Sequence, residues 1–298
     1  MKFAVTGGTG FVGSHFLNEL LGHGHDVLAL KKPTAVPRIA LHTEPAWIEG
    51  GFEAFGERSL AGVDCLVHLA AHGVDPTQAN WDETFRVNVT ESLLLWSRAV
   101  RAGVSNLVLL GSSFEFGSVG EQCEFIPDDA PLRPTAPYAA SKAAATMAAA
   151  AFATAHKIKV YVLRPFQIYG PGESKNRLFP QILEAAREGR DLKLTPGDQV
   201  RDFMEVRDVA KLIHGYAHLL VRQSECPLFR TINLGTGQPT TLRAFTERIW
   251  RENHGTGHLE FGALPYRAGE VMRYVPRIDQ ALQSEALAAI GAKPFADR

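Results

Sequence analysis

Short apolar runs alternate, along the first half of the chain, with longer stretches whose apolar residues recur every three or four positions. The runs predict strands at Lys2–Thr6, Asp26–Leu30, Trp47–Glu49, Cys65–Leu69, Leu107–Gly111 and Lys159–Leu163. The spaced stretches predict helices at Phe11–Leu21, Asp82–Arg101 and Tyr138–His156. Strand–helix alternation implies right-handed crossovers, so the expected fold class is α/β, with a doubly wound parallel sheet covered on both faces. After Pro165 the pattern becomes irregular and richer in Gly and Pro. A helix near Leu178–Glu188, a strand near Leu192–Thr195 and terminal helices predict a smaller lobe that closes over a cleft.

Composition adds mostly exclusions. A chain of 298 residues with 45% hydrophobic content can bury one large core and a small appended lobe. A formal net charge of −1 gives no reason to expect nucleic acid or an anionic membrane as partner. Cys65, Cys123 and Cys226 are isolated, which argues against a disulfide framework or a zinc motif and fits a reducing compartment. No signal peptide or spanning segment is visible, so the expected location is cytoplasmic. His23 and His25 lie in a turn, and His214 and His218 are spaced one helical turn apart. The first pair is expected to be solvated, no acidic third ligand or second motif accompanies the other, and no metal site is expected.

Three motifs carry the chemistry. The first is Thr6-Gly7-Gly8-Thr9-Gly10-Phe11-Val12-Gly13, in which a buried strand runs through side-chain-free turn positions into a helix N-terminus. Such a turn lets a backbone approach pyrophosphate, and the helix dipole favours the anion. The second is Tyr138 and Lys142, four apart on one helix face, where a cation would favour phenolate and lower the tyrosine pKa from its usual ~10. The third is the strand Leu107–Gly111 ending in Ser112 and Ser113, at the edge where an open α/β sheet presents its site.

Taken together these motifs resemble the extended short-chain dehydrogenase/reductase superfamily, in its nucleotide-sugar epimerase, dehydratase and reductase branch. The resemblance also covers Val67-His68-Leu69-Ala70-Ala71, Asn88, Arg164-Pro165-Phe166, Tyr169-Gly170-Pro171-Gly172, Arg201-Asp202-Phe203 and Asn233-Leu234-Gly235. It implies a Rossmann domain over residues 1–164, to which 205–235 return, and a substrate-binding lobe over 165–204 and 236–298. It implies Ser112, Tyr138 and Lys142 as catalytic residues. Cofactor contacts are expected from Gly7, Thr9, Gly10, Phe11, Val12, Gly13, Leu69, Ala70, Ala71, Asn88 and Pro165, with Tyr138 and Lys142. Substrate contacts are expected from Ser113, Phe114, Gln167, Asn176, Arg177, Arg201 and Arg267, toward a nucleotide-diphosphate sugar. Relatives often dimerise through the helices corresponding to Asp82–Arg101 and Tyr138–His156, and a homodimer is expected.

Members that bind NAD place an acid at the end of the second strand to accept ribose hydrogen bonds. Here Lys31 and Lys32 stand there, with Arg38 beyond, which favours a 2′-phosphate: NADP(H) is preferred and NAD(H) is possible. Gly51 stands where relatives often carry an Asp that contacts adenine, leaving backbone and stacking for that task. In dehydratases of the branch a proton-transfer residue lies two positions after the catalytic Ser or Thr. That position is Phe114, and Glu115, one further on, should face the other way in extended backbone. The expected reaction is NADPH-dependent reduction of a nucleotide-linked 4-keto-6-deoxyhexose. A C4 epimerase is the alternative, with a dehydratase and a non-catalytic NADP-sensing regulator behind it.

Overall fold

The computed structural model describes residues 1–75, 79–267 and 269–295. Six early strands, β1 (Lys2–Thr6), β2 (Asp26–Lys31), β3 (Ala46–Glu49), β4 (Cys65–His68), β5 (Asn106–Leu110) and β6 (Lys159–Pro165), join the late strand Phe229–Leu234 in one sheet. The order across the sheet is Phe229–Leu234, β6, β5, β4, β1, β2, β3, and every pair in it is parallel. The chain builds outward from β1 to β3, then returns to build β4 to β6 on the other side. The β1–β4 junction is therefore the point where the winding reverses, and a crevice opens beyond the strand ends there.

Alternation along the strands divides the core in two. Phe3 and Val5 of β1, with Cys65 and Val67 of β4, enter one apolar layer beneath the helices Phe11–Gly22 and Val206–Arg222. Ala4 and Leu66 point the other way, into a layer with Leu95, Trp96, Ala149 and Ala153 from the helices Ser92–Arg101 and Pro137–His156. The alanine-rich helix therefore presents one buried face and leaves Met147 in solvent. A separate apolar cluster around Ile182, Leu194, Phe245 and Trp250 holds the smaller lobe.

Two expectations need correction. The stretch Asp82–Arg101 is not one regular helix: Trp81–Phe85 and Ser92–Arg101 flank a π-helical turn over Arg86–Glu91. That turn carries the buried side chain of Asn88, whose partners fix the cleft floor. Second, residues 236–298 do not all belong to the lobe. Helix Gln280–Ala289 sends Ala286 and Leu287 into the large core, and Gly215 gives it room, because a Cβ there would meet the Ala286 carbonyl. No described helix is long and apolar enough to cross a membrane.

Candidate active site

The turn after β1 is closed by backbone against backbone. Gly7 lies at φ +73°, and a Cβ there would sit 2.6 Å from the Ala70 nitrogen. At Gly13 a Cβ would run into the Gly7 carbonyl oxygen. Gly10 is the extended N-cap of the helix, no side chain caps it, and the first turn, with Phe11, Val12 and Gly13, holds no acidic residue. The leading N–H groups are thus available to an anion at the positive end of the dipole. Leu69, Ala70 and Ala71 wall the turn from the end of β4, where the Leu69 N–H donates to Thr6 O at 3.1 Å. This cradle fits the pyrophosphate of a dinucleotide.

Asn88 acts one step back from the ligand space. Its Oδ1 accepts from His72 N at 2.8 Å, while Nδ2 donates to His72 O at 3.0 Å and to Ser141 Oγ at 2.9 Å. Ser141 Oγ in turn donates to Tyr138 O at 2.8 Å. One amide thereby ties the loop after β4 to the helix that carries Tyr138. Beneath it, Thr6 Oγ1 lies 2.6 Å from His68 Nδ1, and His68 Nε2 lies 2.9 Å from Ser92 Oγ. Burial and the Lys142 charge push His68 down to about 3, so this chain of polar groups is neutral at ordinary pH.

Ser112 and Tyr138 meet, and Lys142 stands one helical turn beyond Tyr138 on helix Pro137–His156. Ser112 caps the 3-10 segment Ser113–Gln122, its Oγ accepting from Phe114 N at 3.2 Å, and its side chain also hydrogen-bonds Tyr138. The tyrosine differs from expectation in its acidity. Burial is the main cause, with buried Glu115 adding to it; they outweigh the Ser112 hydrogen bond and the Arg177 charge and push the phenol up to about 12. Burial also brings the Lys142 ammonium down to about 8, against the pull of Glu115. Lys142 lines a small cavity with His68, Asn88, Trp96 and Thr146, and among the described residues no hydrogen bond or ion pair engages it. The site therefore offers a protonated phenol, with a buried lysine one helical turn further along the same helix.

Position 114 and its neighbour separate cleanly. Phe114 is exposed, with 54% of its surface free. Glu115 is fully buried, accepting from Ser112 N at 2.8 Å, Thr146 Oγ1 at 2.8 Å and Arg164 Nε at 2.9 Å. The bond to Ser112 N completes a capping box. Its two oxygens are taken up by this network; the segment is a 3-10 turn and not the extended backbone expected, so Glu115 is sequestered by the capping box and Arg164 and not by strand alternation. Pro165 is buried at the end of β6, next to Arg164.

The basic strip after β2 is altered by its neighbour. The parallel register sets Lys31 opposite Glu49, and their side chains pair at 3.1 Å, with Lys31 also lying 5.4 Å from the Trp47 ring centre. A carboxylate thus stands beside the end of β2 after all, supplied across the sheet by β3. Lys32 and Arg38 remain exposed, and Arg38 N donates to Thr9 O at 3.2 Å, which holds that loop against the glycine turn. The Gly51 position also differs from expectation. Glu53 folds back so that Gly51 N donates to its Oε1 at 3.0 Å, and its carboxylate fills the space a side chain at 51 would take.

The residues expected to hold substrate are less tightly organised. Ser113 is buried, and its carbonyl accepts from Tyr274 Oη at 2.8 Å. Gln167 begins a short strand whose N–H donates to Asp202 O at 3.2 Å. Arg201 spends its guanidinium on Glu270 Oε1 at 3.2 Å and Val271 O at 2.6 Å, and Arg267 is exposed on the same loop. Asn176 and Arg177 are exposed ahead of helix Leu178–Glu188, with the Arg177 charge felt at Tyr138 and at Glu173. Glu173 was not singled out from the sequence. Its Oε2 is buried without a hydrogen-bond partner among the described residues, and burial raises its carboxyl to about 7. An acid directly after Tyr169-Gly170-Pro171-Gly172, in a loop that covers the cofactor cleft, was the available signal.

The model of the NAD dependent epimerase/dehydratase family matches residues 3–235. A UDP-glucose 4-epimerase of Corynebacterium glutamicum is 31% identical over 305 residues, covering 95% of this chain and 89% of that relative. A CDP-abequose synthase of Salmonella muenchen is 24% identical, with 91% of this chain and 87% of the relative covered. Among solved structures, MoeE5 in complex with UDP-glucose and NAD aligns with a TM-score of 0.77 at 27% identity, over 100% of this chain and 94% of that one.

Proposed function

The chain belongs to the NAD dependent epimerase/dehydratase family, and from that premise we propose that it reduces the ketone of a nucleotide-linked 4-keto-6-deoxyhexose with NADPH. The observation that carries this reading is the pairing of exposed Phe114 with sequestered Glu115. Eliminating water from a hexose requires a second acid or base beside Tyr138, and neither side chain is free to serve. What remains is hydride chemistry at one carbon with one proton delivered.

The phenol suits delivery. Raised to about 12, Tyr138 is protonated at neutral pH and gives its proton to the carbonyl oxygen as that oxygen gains charge. Ser112 is hydrogen-bonded to the same phenol and polarises the carbonyl. Lys142 would hold the nicotinamide ribose and supply charge beneath the tyrosine, and Gly7 to Gly13 would hold the pyrophosphate. When bound, the nicotinamide supplies the hydride. Lys32 and Arg38 support a 2′-phosphate; Lys31, paired with Glu49, does not count toward it. Arg177 and Arg267 are the open cations for the substrate diphosphate, with Asn176 and Gln167 beside them.

A second reading, C4 epimerisation with retained NAD, is favoured by the 31% identical epimerase and by the Lys31–Glu49 pair. The two separate in one experiment. Purified enzyme is given a nucleotide-linked 4-keto-6-deoxyhexose and NADPH, then the matching nucleotide hexose without added cofactor. Stoichiometric NADPH consumption in the first and no reaction in the second supports the reductase. Interconversion of C4 epimers in the second assigns the epimerase, and loss of water overturns both. A homodimer is supported by the exposure of Leu94 and Met147, at 55% and 70%, on the two helices expected to form its interface.

A further inference from the structure

His23 and His25, in the turn before β2, meet His214 of helix Val206–Arg222, although 189 residues separate His25 from His214. Both helices that bring them together pack on one face of β1. The Phe3 ring lies against His25 and His214, with centroids 5.1 and 6.3 Å away. Glu19 lies one helical turn before His23, and the fold brings His214 to it. Its Oε1 lies 3.1 Å from His214 Nδ1 and 3.3 Å from His23 Nδ1.

Those three donor atoms lie close enough to share a cation, in place of the present contact of His23 Nδ1 with Glu19 O at 2.9 Å. Donor atoms of Glu19, His23 and His214 all lie within 4.8 Å of one another. A four-coordinate Zn²⁺ with bonds of ~2.0–2.1 Å holds its ligand atoms roughly 3.3 Å apart, so small side-chain shifts close this set. Two imidazoles and one carboxylate select a borderline transition metal over Mg²⁺ or Ca²⁺. The surroundings orient the hub. His214 Nε2, the nitrogen facing away from Glu19, lies 2.8 Å from His25 Nε2, and His25 Nδ1 lies 3.4 Å from the Met1 amino group. One turn further along, His218 has a buried Nδ1 without a hydrogen-bond partner among the described residues, its ring 6.4 Å from that of His214. Access is open on one side only: the His23 side chain is 42% exposed, Glu19 15% and His214 1%.

We propose that Glu19, His23 and His214 bind a divalent transition metal of the Zn²⁺ type, with His25 orienting His214 and water completing the coordination. Occupancy pins the C-terminal end of helix Phe11–Gly22 to helix Val206–Arg222. The site is remote from the cleft, because β1 runs from the Met1 end to the glycine turn, about 17 Å for five residues at ~3.4 Å each.

The test is calorimetric titration of the chelator-treated, untagged chain with ZnCl₂, with thermal unfolding followed in parallel. The expected result is one Zn²⁺ per chain and a raised Tm, with no response to MgCl₂. His23→Ala, at an exposed helix end, should weaken binding about tenfold or more while leaving the zinc-free Tm in place. Glu19→Gln should weaken binding similarly while lowering the zinc-free Tm, because it neutralises the carboxylate that faces His214. His214→Ala empties a buried position and serves only beside those two. Absence of stoichiometric binding overturns the proposal and leaves a hydrogen-bonded histidine cluster. Binding of equal strength in His23→Ala overturns it too, placing the metal on surface histidines such as His42 or His258.

Discussion

The two walls of the cleft are built on different principles. On the inner wall, Gly7 and Gly13 meet other backbone, and Ser112, Tyr138 and Lys142 are held by buried neighbours such as Glu115 and Asn88. On the outer wall, Lys32, Arg38, Arg177 and Arg267 project into solvent, and Lys31 is already paired with Glu49. Where a position is defined by excluded volume, one residue type fits and the sequence displays it. Where it is defined by charge in water, any neighbour that arrives through the fold can cancel it.

The most severe break of the inner wall is Gly13→Ala. Its methyl meets the Gly7 carbonyl, and forced overpacking of this kind costs about 1–3 kcal/mol or more. Binding of NADPH and NADH should be lost together, which calorimetric titration would check, with circular dichroism confirming the fold. Equal binding in the variant would mean that the turn opens freely and that the inner wall is not set by volume.

Tyr138→Phe comes next. It should lower kcat by ~10²–10⁴-fold while leaving the cofactor affinity nearly unchanged, on the proposed reading in which the phenol delivers the proton. Ser112→Ala should cost less. Single-turnover kinetics on a 4-keto sugar would rank them, and the reverse ranking would move the acid to another group.

Glu173 sits between the walls and gives a pH signature. Its folded carboxyl, raised to about 7, lies above the ordinary glutamate value, so its stabilising contribution is present at low pH and is lost as pH rises through about 7. Glu173→Gln should therefore unfold at a higher temperature than the native chain at about pH 8, and at a similar temperature near pH 4. Melting curves at the two pH values would decide it.

The smallest effects belong to the outer wall. Glu49→Gln should release Lys31 and raise the NADPH over NADH preference a few-fold, as expected of one exposed ion pair worth about 0.2–1 kcal/mol. Neutralising Lys32 and Arg38 should lower that preference. Equal kcat/KM for the two cofactors in the native chain would remove the NADPH assignment.

The same division explains what could be read in advance. Strand β1 was legible to the residue because Phe3, Ala4 and Val5 have no polar alternative, and helix Leu178–Glu188 because its apolar stripe is regular. The Tyr138 and Lys142 pair stood out only jointly with the glycine turn and the strand ending at Ser112, since spacing alone also suits a solvated helix face. The acidity of Tyr138 was not, because it depends on how completely the hydroxyl is buried and on Glu115, which reaches it only through the fold. The Lys31–Glu49 pair follows from strand register, and the Glu53 carboxylate beside Gly51 from a turn conformation. Neither leaves a mark in residue spacing. The placement of Gln280–Ala289 on the large core rests on Gly215, a glycine whose purpose appears only once its neighbour is known.

Ser112 has a consequence for how copies of such a gene drift. One hydroxyl both caps the Ser113–Gln122 segment and hydrogen-bonds Tyr138. Alanine would forfeit the cap, at about 0.5–2 kcal/mol, whether or not the chemistry still mattered, whereas threonine keeps an oxygen on Cβ. A lineage released from selection for turnover would therefore still be held to Ser or Thr here by its folding. Tyr138 carries no comparable structural duty through its hydroxyl. In sorting active from decayed copies, a hydroxyl at position 112 is weak testimony, and the phenol at 138 is the one to ask.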